Sequence, residues 1–353
     1  MEMESLNAKV SGQVVVILGA GASRDEASGK RRAVMPPLDA DFFEQVQALE
    51  ELTPSALRVL EVARELFGPE PAVTMEQFFT QIEFFAELSQ IGLPIGSQAD
   101  LDREPGIKYR DARKDFVTAL VDVLHEAGVA QETSSGFPPD SDLHQRLAVV
   151  LRPLDAIITF NYDTLVDYAL REKQAEKWTL LLPVGGDSEY WRLAKHRMAC
   201  NSTSLGAEYP PAIHVHKMHG SINWMLTGDD IHLVRPPFRA ESIAIMPPAW
   251  HKPVRDDKVF SSVWSSARIA LSQADILVIA GYSLPRTDML AQALLRATAA
   301  VRIDRPFSHV MIANPDDSTV EGLVSVIGSA IGPGTRIRRF GTFRELALFL
   351  HPF

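Results

Sequence analysis

The sequence is poor in three features that would place a protein in a special class: cysteine, long apolar runs and positive charge. Its 353 residues include one cysteine, Cys200, which excludes an internal disulfide framework and a four-cysteine zinc site and predicts a reducing, cytoplasmic location. The first ten residues are polar, without the apolar core of a signal peptide, and no later stretch approaches a membrane span. A formal net charge of −10 argues against a dedicated nucleic-acid binder, which needs clustered Lys and Arg.

What the sequence does contain is a series of short, continuous apolar runs. Such runs are typical of parallel strands that are buried on both faces by helices. They are Val14 to Leu18, Ala156 to Phe160, Ile213 to Lys217, Ile276 to Ala280 and Val310 to Ala313, with a weaker run at Arg336 to Phe340. Helical patterns alternate with them at Thr164 to Lys173, Val263 to Ser272 and Asp288 to Ala299. The alternation predicts an α/β fold with a doubly wound, mostly parallel, Rossmann-like sheet.

The spacing of the runs predicts an insertion. More than a hundred residues separate the first run from the second, which far exceeds one crossover helix. That stretch has helical periodicity at Leu38 to Leu49, Ser55 to Phe67, Met75 to Leu88 and Asp111 to Ala127. We therefore expect a catalytic domain built from residues 12–30 and 152–353 and a helical subdomain over residues 31–151. The stretch from Leu180 to Pro211 is interpreted as loop with some helix.

The first run ends in a glycine-rich turn, Gly19-Ala20-Gly21-Ala22-Ser23. Two glycines at this point supply a tight turn and a place where the backbone can approach a ligand closely. The N–H groups of the following helical turn then suit a pyrophosphate. The third glycine of the dinucleotide fingerprint is missing, and an ordinary strand-to-helix turn would look similar.

Polar residues also follow the later runs. Asn161 and Asp163 come after the second, His219 and Gly220 after the third, and Asn314 after the fifth. The fourth run ends in a turn of small residues, and Asp288 opens the next helix. Because the carboxyl ends of parallel strands share one edge, we expect these groups to form one site.

This combination resembles the sirtuins, and more closely the bacterial sirtuin-like NAD hydrolases of anti-phage defence. The resemblance covers roughly residues 13–30 and 152–316. It implies that NAD⁺ is bound by the glycine turn, a Thr-x-Asn-x-Asp stretch, a Gly-x-Ser turn and a late asparagine. The implied cofactor-binding residues are Gly19, Ala20, Gly21, Ser23, Thr159, Gly281, Ser283 and Asn314, and the implied catalytic residues are Asn161, Asp163 and His219.

Three departures from the sirtuin pattern bear on the activity. Protein-deacylating sirtuins carry a zinc module with two Cys-x-x-Cys pairs, and a single cysteine cannot build it. Phe160 replaces the Gln of the family stretch. The Gly-Ile-Pro-Asp-Phe-Arg loop is missing after Ser23, where only Pro36, Pro37 and Asp39 are found. We therefore expect NAD⁺ as substrate, no zinc, and a weaker case for acetyl-lysine as acceptor.

The chemistry of NAD⁺ cleavage suits these residue types. Nicotinamide leaves as a neutral ring, so the transition state resembles an oxocarbenium ion. Asn161 can fix a ribose hydroxyl or the water, Asp163 can contact the carboxamide or favour the developing cation, and His219 can accept a proton near neutral pH. Water is the simplest acceptor, and the products are then nicotinamide and ADP-ribose.

Structural interpretations of the same residues remain open at this stage. Asn161 and Asp163 are placed to cap the following helix, and His219 to make a structural hydrogen bond. Ser283 and Asp288 fit a turn and a helix N-cap. His214 and His216 share one strand face, but no carboxylate or Cys joins them, so no metal site is expected.

The sequence thus predicts an NAD⁺ hydrolase that acts as an activated effector in anti-phage defence. The alternatives are a non-catalytic NAD or ADP-ribose sensor that controls assembly, and a protein deacylase or ADP-ribosyltransferase. The resemblance implies a homo-oligomer or a protein partner such as a HerA-like ATPase as the trigger.

Overall fold

The architecture was obtained as a computed structural model of the full chain. It describes residues 12–30, 32–69, 71–90, 107–129, 141–174, 178–180, 213–227, 230–233, 243–246, 258–285 and 288–351. The predicted stretch from Leu180 to Pro211 lies outside these residues except for Leu180, and Cys200 lies outside them as well. In the described part, no helix is both long enough and apolar enough to cross a membrane.

The strands and helices alternate as the apolar runs predicted. The strands are β1 Val14–Leu18, β2 Ala156–Thr159, β3 Trp178–Leu180, β4 Ile213–Lys217, β5 Gly220–Thr227, β6 Asp230–Leu233, β7 Ile243–Ile245, β8 Ile276–Ala280, β9 His309–Ala313 and β10 Arg336–Phe340. The α-helices are α1 Ala20–Ala27, α2 Phe42–Gln47, α3 Pro54–Phe67, α4 Met75–Gln90, α5 Ile107–Glu126, α6 Asp142–Val150, α7 Leu165–Gln174, α8 Lys258–Gln273, α9 Met289–Ala300, α10 Asp317–Val326 and α11 Phe343–Leu350. All six predicted strands are confirmed.

Seven of the described strands form one parallel sheet in the order β10-β9-β8-β1-β2-β4-β3. In chain order, β2 and β4 are added on one side of β1, and β8, β9 and β10 are then added on its other side. The order reverses between β1 and β8, which makes this the topological switch point. Right-handed crossovers in opposite directions put helices on opposite faces, so the predicted doubly wound Rossmann-like fold is confirmed.

A second, antiparallel sheet was not predicted. Its order is β6-β5-β7, and it follows directly from β4 through the turn before Gly220. The backbone of Gly220 has φ +77°, and a Cβ on it would lie 2.1 Å from the carbonyl oxygen of Ala244. Only glycine satisfies both conditions, so this residue sets the junction between the two sheets.

The buried apolar residues form two clusters. The first surrounds the large sheet, and the second lies among α2 to α5 and includes a group of edge-on and tilted phenylalanine rings. Residues near β2 and in the antiparallel sheet, among them Tyr162, also belong to the second cluster. Helix α6 lies within the predicted insert, yet its Leu143 and Leu147 pack in the cluster of the sheet. The division into two domains stays a prediction, and this packing favours an insert that ends before α6.

Candidate functional site

The parallel register brings the predicted site residues to one edge. Leu18 pairs with Thr159 on one side and Ala280 on the other, and Ala280 pairs with Ala313. The ladder continues one residue further, because the amide of Gly19 donates to Ala280 and that of Gly281 donates to Ala313. The segments after β1, β2, β4, β8 and β9 therefore leave the sheet side by side.

The two glycines after β1 pack against the backbone that follows β8. A Cβ on Gly19 would lie 2.5 Å from the carbonyl oxygen of Gly281, and one on Gly21 would lie 2.9 Å from its Cα. Gly281 itself has φ +60°, and the amide of Gly21 donates to its oxygen at 2.9 Å. The backbone after β8 thus occupies the positions that side chains would take at these two residues, and their role toward a ligand stays a prediction. The glycines are thus required for contact between the two loops at the switch point.

Asn161 lies at the centre of a buried polar network. Its side-chain amide donates to the carbonyl oxygen of Gly19 at 3.0 Å and to the hydroxyl of Ser23 at 2.9 Å. Ser23 in turn donates to Asp163 at 2.5 Å. Oδ1 of Asn161 has no hydrogen-bond partner among the described residues, although Asn161 is only 8% exposed. A buried acceptor without a donor is costly, so this oxygen is a candidate contact for a ligand.

The two carboxylate oxygens of Asp163 have different partners, and its role toward a ligand stays a prediction. One carboxylate oxygen accepts from the amide of Leu165 at 3.0 Å and so caps α7, while the other accepts from Ser23. The carboxylate therefore joins the start of α7 to the first turn of α1. The capping interpretation is correct for this oxygen, and the residue still lies in the network of Asn161.

His219 is held in place through its backbone on both sides. The indole of Trp264 donates to the carbonyl oxygen of Met218 at 3.0 Å, and the amide of Met246 donates to that of His219 at 2.9 Å. Its ring is 7% exposed and lies edge-on to Phe160, with 5.2 Å between the ring centroids. The imidazole is therefore fixed beside the residue that replaces the family glutamine.

Phe160 links His219 to the loop after β8. Its ring stacks on that of Tyr282 at 4.3 Å with an interplanar angle of 6°. The Tyr282 hydroxyl donates to Oδ2 of Asp288 at 3.2 Å, and the same oxygen lies 3.6 Å from Nε2 of His219. Burial and the nearby Asp288 raise the pKa of Tyr282 well above its ordinary value, so the phenol keeps its proton.

The helical region contributes acidic groups to this side of the sheet. Asp39 accepts from the amide of Glu76 at 2.8 Å and thereby holds the first turn of α4. Burial raises the pKa of Tyr162 well above its ordinary value, and the charges of Glu76, Asp288 and Asp39 raise it further. The ring of Tyr162 lies 6.0 Å from that of His219. The first turn of α4 is thus close enough to act electrostatically on the site.

A buried lysine was missed by the sequence interpretation. Lys217 is fully buried at the end of β4 and pairs with Asp167 of α7 at 2.6 Å. It also donates to the carbonyl oxygen of Asp163 at 2.7 Å and to Ser221 at 2.6 Å. Burial raises the pKa of Asp167, although Lys217 opposes the shift. The signal available in the sequence was a lysine at the end of a strand whose other residues are isoleucine, valine and two histidines.

The remaining predicted residues are placed as follows. Thr159 is buried, and its hydroxyl accepts from the amide of Asn161 at 3.2 Å. Ala20 begins α1, and Ser283 is exposed in the loop after Tyr282. The amide of Asn314 reaches the carbonyl oxygen of Tyr282 at 3.5 Å. All lie along the same edge, and their roles toward a ligand stay predictions.

Two other features lie apart from this edge. His214 and His216 stack with ring centroids 6.4 Å apart, and the described residues contain no cluster of three metal-ligating side chains. A surface cavity of about 510 Å³ is lined by Glu26, Ser28, Gly29, Lys30, Asp142, Leu143 and Arg344. It lies at the carboxyl end of α1, away from the glycine turn, and contains none of the predicted site residues.

Fold and site together define a doubly wound α/β protein with a polar site at the switch point, where this fold class binds its ligands. Residues 155–322, just under half of the chain, match the model of the SIR2-like domain family. The match includes Asn161, Asp163, His219, Gly281 and Asn314.

Among solved structures, a Sir2 homolog–NAD complex is similar, with 13% identity and a TM-score of 0.40 over 96% of this chain and 88% of that one. A structure described as the basis for the mechanism and regulation of Sir2 enzymes is similar too, with 12% identity and a TM-score of 0.40 over 96% of this chain and 90% of that one. No curated protein matches the sequence.

Proposed function

We propose that the protein is a sirtuin-like NAD⁺ hydrolase that releases nicotinamide and ADP-ribose. The observation that carries the proposal is the joint placement of Asn161 and His219 at one edge of the sheet, within the segment that matches the SIR2-like domain. Asn161 offers a buried oxygen that has no donor in the part of the chain that the structure describes, and His219 offers an imidazole beside a carboxylate. These are the groups needed to align a ribose or water and to take its proton.

The proposed reaction is a displacement by water. The bond between C1′ of the ribose and the nicotinamide nitrogen breaks, and the ring leaves with the electron pair. The oxygen of water forms the new bond to C1′, and the proton that it loses passes to His219 and then to solvent. Asn161 orients the water or a ribose hydroxyl through Oδ1, because its amide protons are already used by Gly19 and Ser23.

We also propose the finer features that the resemblance implies. The protein then acts in anti-phage defence by depleting NAD⁺, in the cytoplasm, without a zinc module, and after activation by self-assembly or by a partner such as a HerA-like ATPase. The single cysteine of the sequence supports the absence of the zinc module. The packing of Tyr162 in the cluster of the helical region supports a route by which that region acts on the site.

The test is incubation of the purified protein with NAD⁺, alone and with the product of a neighbouring gene, followed by chromatography of the products. We expect nicotinamide and ADP-ribose from the wild type, and losses of at least about a hundredfold in Asn161→Ala and His219→Ala. His309→Ala is the matched control, because His309 begins β9 at the opposite edge of the sheet. Binding of NAD⁺ is measured in parallel by calorimetry.

Four outcomes would contradict the proposal. Binding without turnover under every activating condition would favour a sensor. Products that require an acetylated peptide would indicate a deacylase, and ADP-ribose attached to protein would indicate a transferase. Equal activity in wild type and His219→Ala would remove the histidine from the chemistry.

A further inference from the structure

We infer that Asp288 is the positioning residue for His219, with Tyr282 holding the carboxylate in place. The inference rests on the proposed function, because it assigns Asp288 a part in the proton transfer by His219. From the sequence, Asp288 was expected at the sheet edge with the other polar residues, with a turn or N-cap role as the structural alternative and no role toward His219.

The two oxygens of Asp288 have different partners. Oδ1 accepts from the amide of Ala291 at 3.3 Å, which is the N-cap contact for α9. Oδ2 faces the Tyr282 hydroxyl at 3.2 Å and Nε2 of His219 at 3.6 Å. A cap requires one acceptor oxygen, and Thr53 and Thr342 provide it for α3 and α11 with a hydroxyl. The second oxygen is therefore not explained by capping.

The burial of Asp288 supports the same conclusion. The residue is 4% exposed, and a carboxylate at such a position is costly unless it is hydrogen-bonded or paired. The amide of Ala291 and the Tyr282 hydroxyl supply two donors. The imidazole of His219 supplies the third when Nε2 carries a proton. The Ala291 amide belongs to the helix start itself, and Tyr282 lies six residues before Asp288. His219 comes from the turn after β4, so its contact with the carboxylate depends on the tertiary fold.

Tyr282 keeps the carboxylate oriented toward the histidine. Its ring is stacked against Phe160, and Phe160 is also in edge contact with His219. The phenol keeps its proton because its pKa is raised by burial and by Asp288, so it acts only as a donor to Oδ2. Phe160, Tyr282 and Asp288 are thus joined to one another beside His219 by ring stacking and a hydrogen bond.

The effect on His219 follows from ordinary histidine chemistry. A carboxylate facing Nε2 favours the tautomer with the proton on that nitrogen and leaves Nδ1 as the acceptor. When the ring accepts a second proton, the same carboxylate stabilises the cation. The 3.6 Å separation is an ion-pair distance that can shorten to a hydrogen bond once a substrate is bound.

The other charged and titratable groups on this side act at longer range. Tyr162 is the second phenol beside the ring, and its pKa is also raised. Glu76 and Asp39 reach the region from the helical part and add negative charge. These groups favour a cationic ring in general, and an oxygen of Asp288 lies 3.6 Å from Nε2.

The first test compares Asp288→Asn with the wild type in NAD⁺ hydrolysis. The amide keeps the capping oxygen but replaces the charged Oδ2, so we expect kcat to fall at least about tenfold while KM changes less than about threefold. The acidic limb of the rate–pH profile should move to lower pH, because the protonated ring loses its partner. Thr342→Ala removes the N-cap of α11, a helix that carries none of the candidate site residues, and should leave kcat and the pH profile unchanged.

The second test does not depend on activity. In protein labelled with ¹⁵N-histidine, long-range NMR spectra report the tautomer of each ring, and the His219 signals are assigned from their loss in His219→Gln. We expect the Nε2–H form in the wild type and a loss of that preference in Asp288→Asn. Tyr282→Phe, which keeps both the cap and the carboxylate, should weaken the preference and serves if Asp288→Asn does not fold.

The two tests separate the inference from the proposed function. A wild type that releases no nicotinamide but shows the Nε2–H tautomer, lost in the variants, would refute the hydrolase and keep the contact. Hydrolysis by the wild type with unchanged kcat, pH profile and tautomer in Asp288→Asn would refute the positioning role and keep the hydrolase. A wild-type ring protonated on Nδ1 alone would also overturn the inference.

Discussion

Replacement of His216 by leucine should make the protein more resistant to acid. His216 lies in β4 with 1% of its surface exposed, and neither ring nitrogen has a hydrogen-bond partner within the described ranges. Burial, with a smaller contribution from His214, lowers the pKa of His216 to about 3. In the unfolded chain the ring takes up a proton near its ordinary pKa of about 6.5.

The size of the stability change follows from the difference between the pKa values of His216 in the folded and unfolded states. The unfolded state binds more protons between pH 6.5 and the folded pKa, so stability falls as the pH is lowered through this window. Between pH 7.5 and pH 5.0 the loss due to this one group is about 2 kcal/mol, and any folded pKa below about 4 gives the same figure. His216→Leu removes this loss, and it costs little at pH 7.5 because no hydrogen bond is broken.

Urea unfolding of wild type and variant at pH 7.5 and 5.0 measures the effect. The difference between the two proteins should change by about 2 kcal/mol in favour of the variant at the lower pH. Part of the acid sensitivity should remain, because burial lowers the pKa of His214 as well. Val215→Ala, a fully buried neighbour without a titratable group, should lose equal stability at both pH values. If the free energy of unfolding fell equally in wild type and His216→Leu between pH 7.5 and 5.0, the reasoning would be refuted.

Two further predictions concern stability. Lys217→Met leaves Asp167 buried without its partner and should lower the free energy of unfolding in urea by about 3–5 kcal/mol. The double variant Lys217→Met with Asp167→Leu should recover most of this loss. A double variant that is no more stable than the single one would contradict the prediction. Gly281→Ala should cost at least about 2 kcal/mol and impair NAD⁺ binding in calorimetry, because its Cβ would lie 2.0 Å from the amide nitrogen of Ala22 at φ +60°. Gly322→Ala, at an open helical position, is the matched control and should raise the thermal midpoint slightly; equal losses at both glycines would count against the close contact.

Much of the sheet could be predicted because its strands are buried on both faces. Such strands appear as continuous apolar runs, and β1 and β8 are buried at every residue. The antiparallel strands could not be found this way, since β5 carries serine and asparagine among its apolar residues. Helix α2 spans Phe42–Gln47 and is therefore shorter than the predicted helix from Leu38 to Leu49.

The candidate site was predictable only in part, because apolar runs indicate where a residue lies along the chain but not which distant residues contact it. Asn161 and His219 come just after apolar runs, so their position in the chain indicated the edge of the sheet. The partners of these residues are distant in sequence: Gly19 is 142 residues from Asn161, and Asp288 comes from the loop after another strand. No local pattern indicates such a pair.

By itself the sequence determined the ends of six of the seven described parallel strands to within one residue, and hence which polar residues stand at the carboxyl edge. The strand order, which places β8 beside β1, was decided only by the tertiary structure. That order explains why Gly19 and Gly21 face Gly281 rather than open space, and why Asp288 reaches His219. The physical reason is that burial leaves a local periodicity in the chain, whereas contacts between distant segments depend on how the strands are arranged.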